Sequence, residues 1–431
     1  MMESVLLLLG VIFLVLIFVG IPVGYAMILT AAAHFYVLSP GLSPTVIAQR
    51  PVGLISESFT LLAVPLFLLA GNLLNACGMT ARLVAFSVAL VGHVRGGLGH
   101  AVVVANVIMA GMSGSATADA AGIGSIMIPS LIRAGFRPRA AAALTASAAT
   151  LGPIIPPSVA MVLYASLSNV SLGRLLLAGF LPGLVMALFL MADLWLSKES
   201  AGVARTRFEW GRLLATARDA VLALIMPAII LGGMFGGVYT PTEGAAVAVA
   251  YALVIGVVVY RSLTPAAIFR SLRESARTTG AVLFVVGTAS AVSWVLTAER
   301  AGEALRQVFL PYQASPKITL LLIAAVTLAL GTAMEETTML VLMTPILAPI
   351  VAHAGIDPVH FGLVFVLSTM IGLITPPVGI TMFIACQLAG ITVNDFTRAV
   401  WRPFLALVLA VIVCALWPEM VLFLPNLVMG R

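Results

Sequence analysis

Repeated apolar runs of about 20 residues, the length that crosses a lipid bilayer, constrain this 431-residue chain more than any other feature. They lie near 3–20, 58–77, 174–197, 219–237, 244–260, 278–298 and 400–425, with a shorter run at 23–38. In lipid every backbone N–H and C=O must find a partner inside the protein, so such runs fold as helices. Only 9% of the residues are charged, against about 25% in a typical soluble chain. That leaves too little polar surface for a water-soluble domain. The sequence reads as one all-α polytopic membrane protein.

Several function classes drop out at once. The formal net charge is +6, but the basic residues stand in short gaps between runs and form no stripe, which argues against nucleic acid. No P-loop is present, so no nucleotide is expected. Cys77, Cys386 and Cys414 are scattered in apolar runs without a CxxC pair and read as small buried hydrophobes. His34, His93, His100, His353 and His360 show no ligand spacing and read as interfacial, and no transition metal is expected. Met1-Met2-Glu3 lacks the basic start of a signal peptide, so residues 4–20 read as a retained first helix. Trp195, Trp210, Trp401 and Trp417 read as interface anchors. The segment 203–218 reads as an amphipathic helix on the inner surface, and Glu243 as a cap or loop residue.

Two stretches, 98–169 and 318–389, are equally apolar but are interrupted by Gly, Pro and polar residues about halfway across a bilayer. Broken segments at corresponding places in two halves mark transporter sites. Gly152 and Gly372 are 220 positions apart, as are Pro156 and Pro376, Pro157 and Pro377, and Ala134-Gly135 and Ala354-Gly355. Leu66-Phe67 matches Leu283-Phe284, Pro129 matches Pro345 at a slightly smaller offset, and Pro22 before Gly24 resembles Pro241 before Gly244. The common order of these matches implies a duplication. The boundaries are 1–200 for the first repeat, 201–218 for a cytoplasmic linker and 219–431 for the second repeat.

Cytoplasmic loops are enriched in Lys and Arg. The gap 198–218 carries Lys198, Arg205, Arg207, Arg212 and Arg218; the gap 261–277 carries Arg261, Arg270, Arg273 and Arg277. Placing both inside makes 219–260 an out-and-back pair. The gaps with Arg82 and Arg95, and with Arg133, Arg137 and Arg139, also fall inside. Residues 98–134 then form a re-entrant hairpin from the cytoplasm, and 318–352 one from the periplasm. That is an inverted repeat, with the N-terminus periplasmic.

The first hairpin turns at Gly111-Met112-Ser113-Gly114-Ser115-Ala116-Thr117-Ala118-Asp119. The helix ending there offers carbonyls to a cation, and the helix starting there offers amides to an anion. Close packing alone would account for Gly and Ser, but not for Asp119 near mid-bilayer. The second tip, Leu330-Gly331-Thr332-Ala333-Met334-Glu335-Glu336-Thr337-Thr338, holds adjacent carboxylates; either glutamate alone reads equally as a helix cap. Each hairpin precedes a broken helix, Thr150-Leu151-Gly152-Pro153-Ile154-Ile155-Pro156-Pro157-Ser158 in 139–169 and Gly372-Leu373-Ile374-Thr375-Pro376-Pro377-Val378-Gly379 in 358–389. Proline unwinds a helix, and the freed carbonyls need partners that an ion or substrate can supply. A plain kink is the alternative.

On Ser113 to Asp119, Gly152 to Ser158 and Gly372 to Gly379, the whole chain resembles the large membrane subunit of tripartite ATP-independent periplasmic (TRAP) transporters. One departure is the second tip, where relatives carry Asp near the position of Glu335 or Glu336. The resemblance implies an elevator-type transporter in the bacterial inner membrane. It implies sodium-driven uptake of small organic acids such as C4-dicarboxylates or sialic acid, not an enzyme. It also implies two partners, a periplasmic substrate-binding protein and a small membrane subunit, the latter a separate chain here. The expected transport domain is 98–169 plus 318–389, with the remainder as scaffold. Sodium ligands are expected among Ser113, Gly114, Ser115, Thr150, Pro153, Gly331, Glu335, Glu336 and Thr375. Substrate-binding or tip-orienting roles are expected at Thr117, Asp119, Pro156, Ser158, Thr332, Thr337, Pro376 and Gly379. The rival readings are a stand-alone sodium-coupled dicarboxylate carrier or ion antiporter and, more remotely, an intramembrane enzyme using Asp119, Glu335 and Glu336.

Overall fold

Every regular element of the computed structural model is helical among the residues it describes, 2–38, 45–197, 199, 205–299 and 315–430. In chain order they are α1 (Met2–Phe18), α2 (Val23–Ala33), α3 (Val46–Glu57), α4 (Ala63–Ala76), α5 (Met79–Val91), α6 (Gly97–Ser113) and α7 (Ala116–Arg133). There follow α8 (Pro138–Ala149), α9 (Val159–Ser168), α10 (Leu172–Leu196), α11 (Trp210–Phe235), α12 (Pro241–Val254) and α13 (Pro265–Ala298). The last six are α14 (Pro316–Gly331), α15 (Glu336–His353), α16 (Pro358–Gly372), α17 (Ile380–Ala389), α18 (Val393–Leu416) and α19 (Pro418–Met429). Seven helices among the described residues are long and apolar enough to span a bilayer.

The boundaries follow local chemistry. Glycine in the left-handed region ends α6 at Gly114 (φ +60°) and precedes it at Gly96 (φ +68°), where any larger residue would be strained. Thr240 and Glu243 form a reciprocal capping box at the start of α12, which settles the role of Glu243. Proline stands at the first turn of α8, α12, α13, α14, α16 and α19, where its missing N–H costs nothing.

Four sequence expectations are corrected. The run 400–425 is not one helix. Trp417 turns extended (φ −122°, ψ 72°) before Pro418, which disfavours a helical residue ahead of it. The linker at 201–218 is not a separate in-plane helix: 205–209 are non-helical and 210–218 are the first turns of α11, while Lys198 and 201–204 lie outside the described residues. The run 278–298 is the far end of the 34-residue α13, which starts at the Thr264 cap. Finally, His34, His100 and His360 are buried, not interfacial; the His360 ring pairs through Nε2 with the Cys414 carbonyl at 2.8 Å. The three cysteines are free and buried, and the four named tryptophans are exposed.

Packing follows the internal correspondence. α2 packs on α13 and α4 packs on α12, which are matching contacts under the pairing of Pro22 with Pro241 and Phe67 with Phe284. α9, beyond the first break, packs on α15, and α17, beyond the second, packs on α7. Each broken helix therefore crosses to the hairpin of the other half. α10 and α18 lie against one another and against α8 and α16. α3 has no buried residue and lies along α13.

Tyr164 on α9 ties the halves together. It is 1% exposed, its hydroxyl donates to the Pro358 carbonyl at 2.8 Å, and its ring meets Phe361 and Phe365 edge-on. Tyr164→Phe removes only the hydrogen bond, at about 0.5–1.5 kcal/mol. Tyr164→Ala empties the ring site, at about 3–5 kcal/mol. Denaturation midpoints of the purified protein should therefore fall in that order, with a small loss for Phe and a large one for Ala.

Candidate functional site

The first tip is built from the end of α6 and the start of α7. Gly114 turns the chain, and Ser115, extended at φ −137°, caps α7 by accepting from the Ala118 amide at 3.4 Å. Its hydroxyl also lies 3.0 Å from Thr117 Oγ1. Asp119, one turn in, is fully buried. The Ser113 hydroxyl donates to Asp119 Oδ1 at 2.5 Å, while Oδ2 has no hydrogen-bond partner among the described residues. Asp119 thus holds the tip through the Ser113 side chain. No arginine or lysine forms an ion pair with it among the described residues.

The first break lies directly against this tip. α8 gives way at Thr150, whose hydroxyl donates to the Ser147 carbonyl at 2.7 Å, and a series of tight turns follows to the Pro156–Pro157 cis bond. Ser158 restarts the helix: its hydroxyl donates to the Pro153 carbonyl and accepts from the Met161 amide. Gly152 is the point of contact. A Cβ there would sit 2.5 Å from Asp119 Oδ2 and 3.2 Å from the Ser115 carbonyl carbon. Gly114 in turn abuts the Pro157 carbonyl, at 2.8 Å from where its Cβ would be. All of 150–158 is buried.

The second tip repeats the plan with different chemistry. α14 ends at Gly331, and Thr332 Oγ1 donates to the Ala329 carbonyl at 2.8 Å. Glu335 is the cap of α15. Its carboxylate accepts from the amides of Thr337 and Thr338, at 3.0 and 3.2 Å, and from the Thr337 hydroxyl at 3.0 Å. Glu336 carries the free group, because its Oε2 is buried without a hydrogen-bond partner among the described residues. At the second break Thr375 Oγ1 donates to the Gly372 carbonyl at 2.8 Å and Thr381 Oγ1 to that of Leu373 at 2.7 Å. The Val378 amide donates to the Thr332 carbonyl at 3.1 Å, which joins break to tip. Pro376–Pro377 is cis, and Gly379 opens α17 where a Cβ would come within 2.8 Å of two carbonyls of the break. Unlike the first break, this one is open, with Pro377 and Val378 exposed.

The expected site residues therefore assemble as two tip–break pairs, the groups from Ser113 to Asp119 with Thr150 to Ser158, and those from Gly331 to Thr337 with Thr375 to Gly379. Sequence reasoning passed over Thr145, Ser147 and Asn106. All three are fully buried, and the Thr145 and Ser147 hydroxyls and Asn106 Oδ1 lack hydrogen-bond partners among the described residues. The only signal was their position, as the hydroxyls of an otherwise alanine-rich helix and an amide two turns before the first tip. Gly71 was also missed; it lets α4 approach the tip, 3.4 Å from Ser113 Cα to where its Cβ would be.

Hairpin tips paired with unwound helices inside an apolar bundle define a multi-pass membrane protein of the secondary-transporter class. The chain overlaps the crystal structure of the Alcanivorax borkumensis YdaH transporter with a TM-score of 0.60 over 86% of this chain and 87% of that one; at 15% identity this bears on fold alone. Residues 10–420 match the family model of the tripartite ATP-independent periplasmic transporter, DctM component, and the chain belongs to that family. It is 38% identical to the sialic acid TRAP transporter large permease protein SiaM of Vibrio cholerae, over 96% of this chain and 97% of that one. It is 35% identical to the 2,3-diketo-L-gulonate large permease protein YiaN of Escherichia coli (94% and 95% covered). Against the C4-dicarboxylate large permease protein DctM of Pseudomonas aeruginosa it is 37% identical (86% and 87% covered). The chain is a transporter permease subunit and not an enzyme.

Gly372 offers a sharp test of the tip–break contact. A Cβ there would lie 2.5 Å from the Gly331 carbonyl, a backbone atom with no side chain to move aside. Gly372→Ala should cut transport at least tenfold while the protein still inserts, whereas Gly280→Ala, with nothing within 4 Å, should leave it unchanged.

Proposed function

We propose that this chain is the membrane-embedded transport subunit of a sodium-coupled importer of small organic acids, loaded by a periplasmic binding protein and assisted by a separate small membrane subunit. The observation that carries the reading is the composition of the two tip–break pairs. They combine helix ends, small hydroxyls and freed carbonyls, and none of 111–119, 150–158, 330–338 or 372–379 holds a basic residue. A carboxylate is then met by amides and hydroxyls at the starts of α7, α9, α15 and α17. A hard cation is met by the carbonyls of Ser113, Thr150 to Pro153, Gly331 and Thr375 with nearby hydroxyls. Glu335 is committed to capping, so Glu336 and Asp119 are the carboxylates available beside the ions. The relatives' named substrates, sialic acid, 2,3-diketo-L-gulonate and C4-dicarboxylates, are all organic acids and support the substrate class.

The moving unit comprises the hairpins and broken helices. The packing of α10 and α18 on α8 and α16 supports adding those two helices to it, with α2–α4, α12 and α13 as the static frame. The two hairpins enter from opposite faces, with the arginine-rich gaps inside and the N-terminus outside.

Reconstituted alone, the chain should give no sodium-driven uptake; adding both partners should restore it. Uptake by the chain alone would instead define a stand-alone carrier. With the full system, Ser115→Ala and Thr375→Val should each raise the sodium concentration for half-maximal transport, and wild-type sodium dependence in both would place the ions elsewhere. The inverted arrangement is checked by single-cysteine labelling. Arg137→Cys should react from the cytoplasm and Ala352→Cys, beside the α15–α16 turn, from the periplasm. Labelling of both from one side would exclude opposed hairpins.

A further inference from the structure

A cavity of about 220 Å³ lies where the first turns of α8, the last turn of α10 and the first turns of α18 converge. Three guanidinium groups line it, Arg139, Arg398 and Arg402, together with the acids Asp193 and Glu199. Both acids are already engaged. Arg402 Nε meets Asp193 Oδ1 at 3.1 Å and its Nη2 donates to the Asp193 carbonyl, while Glu199 pairs at 3.5 Å with Arg137 outside the lining. Asp395, on the first turn of α18, accepts from the Thr392 hydroxyl at 2.7 Å and lies within electrostatic range of both Arg398 and Arg139. Arg139 and Arg398 make no ion pair within 4 Å among the described residues, with Asp395 acting on both from farther away.

The apolar surroundings say which kind of anion belongs there. Trp401 stands between Arg398 and Arg402, and it starts a stripe with Leu405 and Leu409 at helical spacing; the three are 57%, 55% and 52% exposed. Tryptophan marks the headgroup level of a bilayer, and the leucines below it face the acyl region. A slot lined by three guanidinium groups, two of them in no direct ion pair, at the head of a lipid-facing stripe is the arrangement by which basic pockets between membrane helices hold anionic headgroups. A soluble anion would make no use of the stripe.

We propose that this cavity binds the phosphodiester of an anionic phospholipid, with Arg139 and Arg398 as the phosphate ligands, Arg402 held in place by Asp193, and one acyl chain along Trp401, Leu405 and Leu409. The slot is larger than the phosphodiester alone needs; at about 30 Å³ per water, it also admits bridging waters. Because α8 leads directly into the first break, a lipid here sits against one end of the broken helix.

The test is lipid retention by the purified chain, followed by native mass spectrometry, with phosphatidylglycerol and phosphatidylcholine of matched acyl chains. The wild type should retain phosphatidylglycerol about tenfold better than phosphatidylcholine. Arg139→Gln combined with Arg398→Gln should abolish that preference without shifting thermal unfolding in detergent, and the corresponding pair of Lys substitutions should restore part of it. Arg398→Gln alone, on the exposed start of α18, should lower it about threefold and remains readable if the double variant does not fold. Arg270→Gln, on α13, should have no effect. Equal retention of the two lipids by the wild type, or an unchanged preference in the Arg398 variant, overturns the proposal. Displacement of phosphatidylglycerol by millimolar inorganic phosphate also overturns it, by making the cavity a free-anion site.

Discussion

Two helices of this protein stop and restart among apolar neighbours, and the backbone groups released at those stops must find partners without water. The first break meets the demand internally. Ser158 closes on the Pro153 carbonyl, Thr150 closes on Ser147, and successive tight turns use most of the amides that remain. The second break does so partly by reaching out, through the amide of Val378 to the Thr332 carbonyl of the hairpin tip. Everything nearby is arranged to let those contacts form. Gly152 and Gly372 have no side chain because a hairpin tip occupies the space a Cβ would need. Prolines at 156, 157, 376 and 377 ensure that neither helix can run through.

The same constraint produces both the likeness and the difference between the halves. Glycine 152 and glycine 372 each bring a break onto the tip of their own half, and α9 and α17 each cross to the hairpin of the other. The acids diverge. Asp119 sits a turn inside α7 and takes a hydroxyl hydrogen bond from Ser113, leaving one oxygen unpartnered among the described residues. Glu335 spends its carboxylate on two amides at the start of α15, and its neighbour Glu336 keeps the unpartnered oxygen. The first pair is enclosed and the second is partly open, so the two are chemically related but unequal places.

Much of this was legible in the sequence for a plain reason. Membrane helices need long apolar runs, and breaks within them need Pro and Gly, so both leave marks in one dimension. The Gly and Pro residues at which these helices end and restart stand in the sequence at 111–119, 150–158, 330–338 and 372–379. The misread elements were those whose marks were faint or shared. Trp417-Pro418 ends a helix inside an uninterrupted apolar stretch, and a proline there was read as part of the run. The arginine-rich start of α11 had the composition of a surface helix, yet neither proline nor glycine stands between Arg212 and Met226, so it continues into the span. Burial of His34, His100 and His360 had no mark at all, because it depends on which helices pack beside them.

What the sequence determined by itself was the class of protein, most of the helices, the two interruptions and the residue types gathered at each. These follow from hydropathy, from the covalent limits of proline and from the freedom of glycine, all local properties. Only the tertiary structure decided which oxygens are free. Glu335 and Glu336 are adjacent and identical in kind, and nothing along the chain tells the capping carboxylate from the unpartnered one. That distinction comes from the direction in which α15 leaves the tip, which aims two amides at Glu335. In the same way Ser113 was one hydroxyl among several until the fold of α6 onto α7 put it against Asp119, because hydrogen bonds depend on distances that the order of residues does not contain.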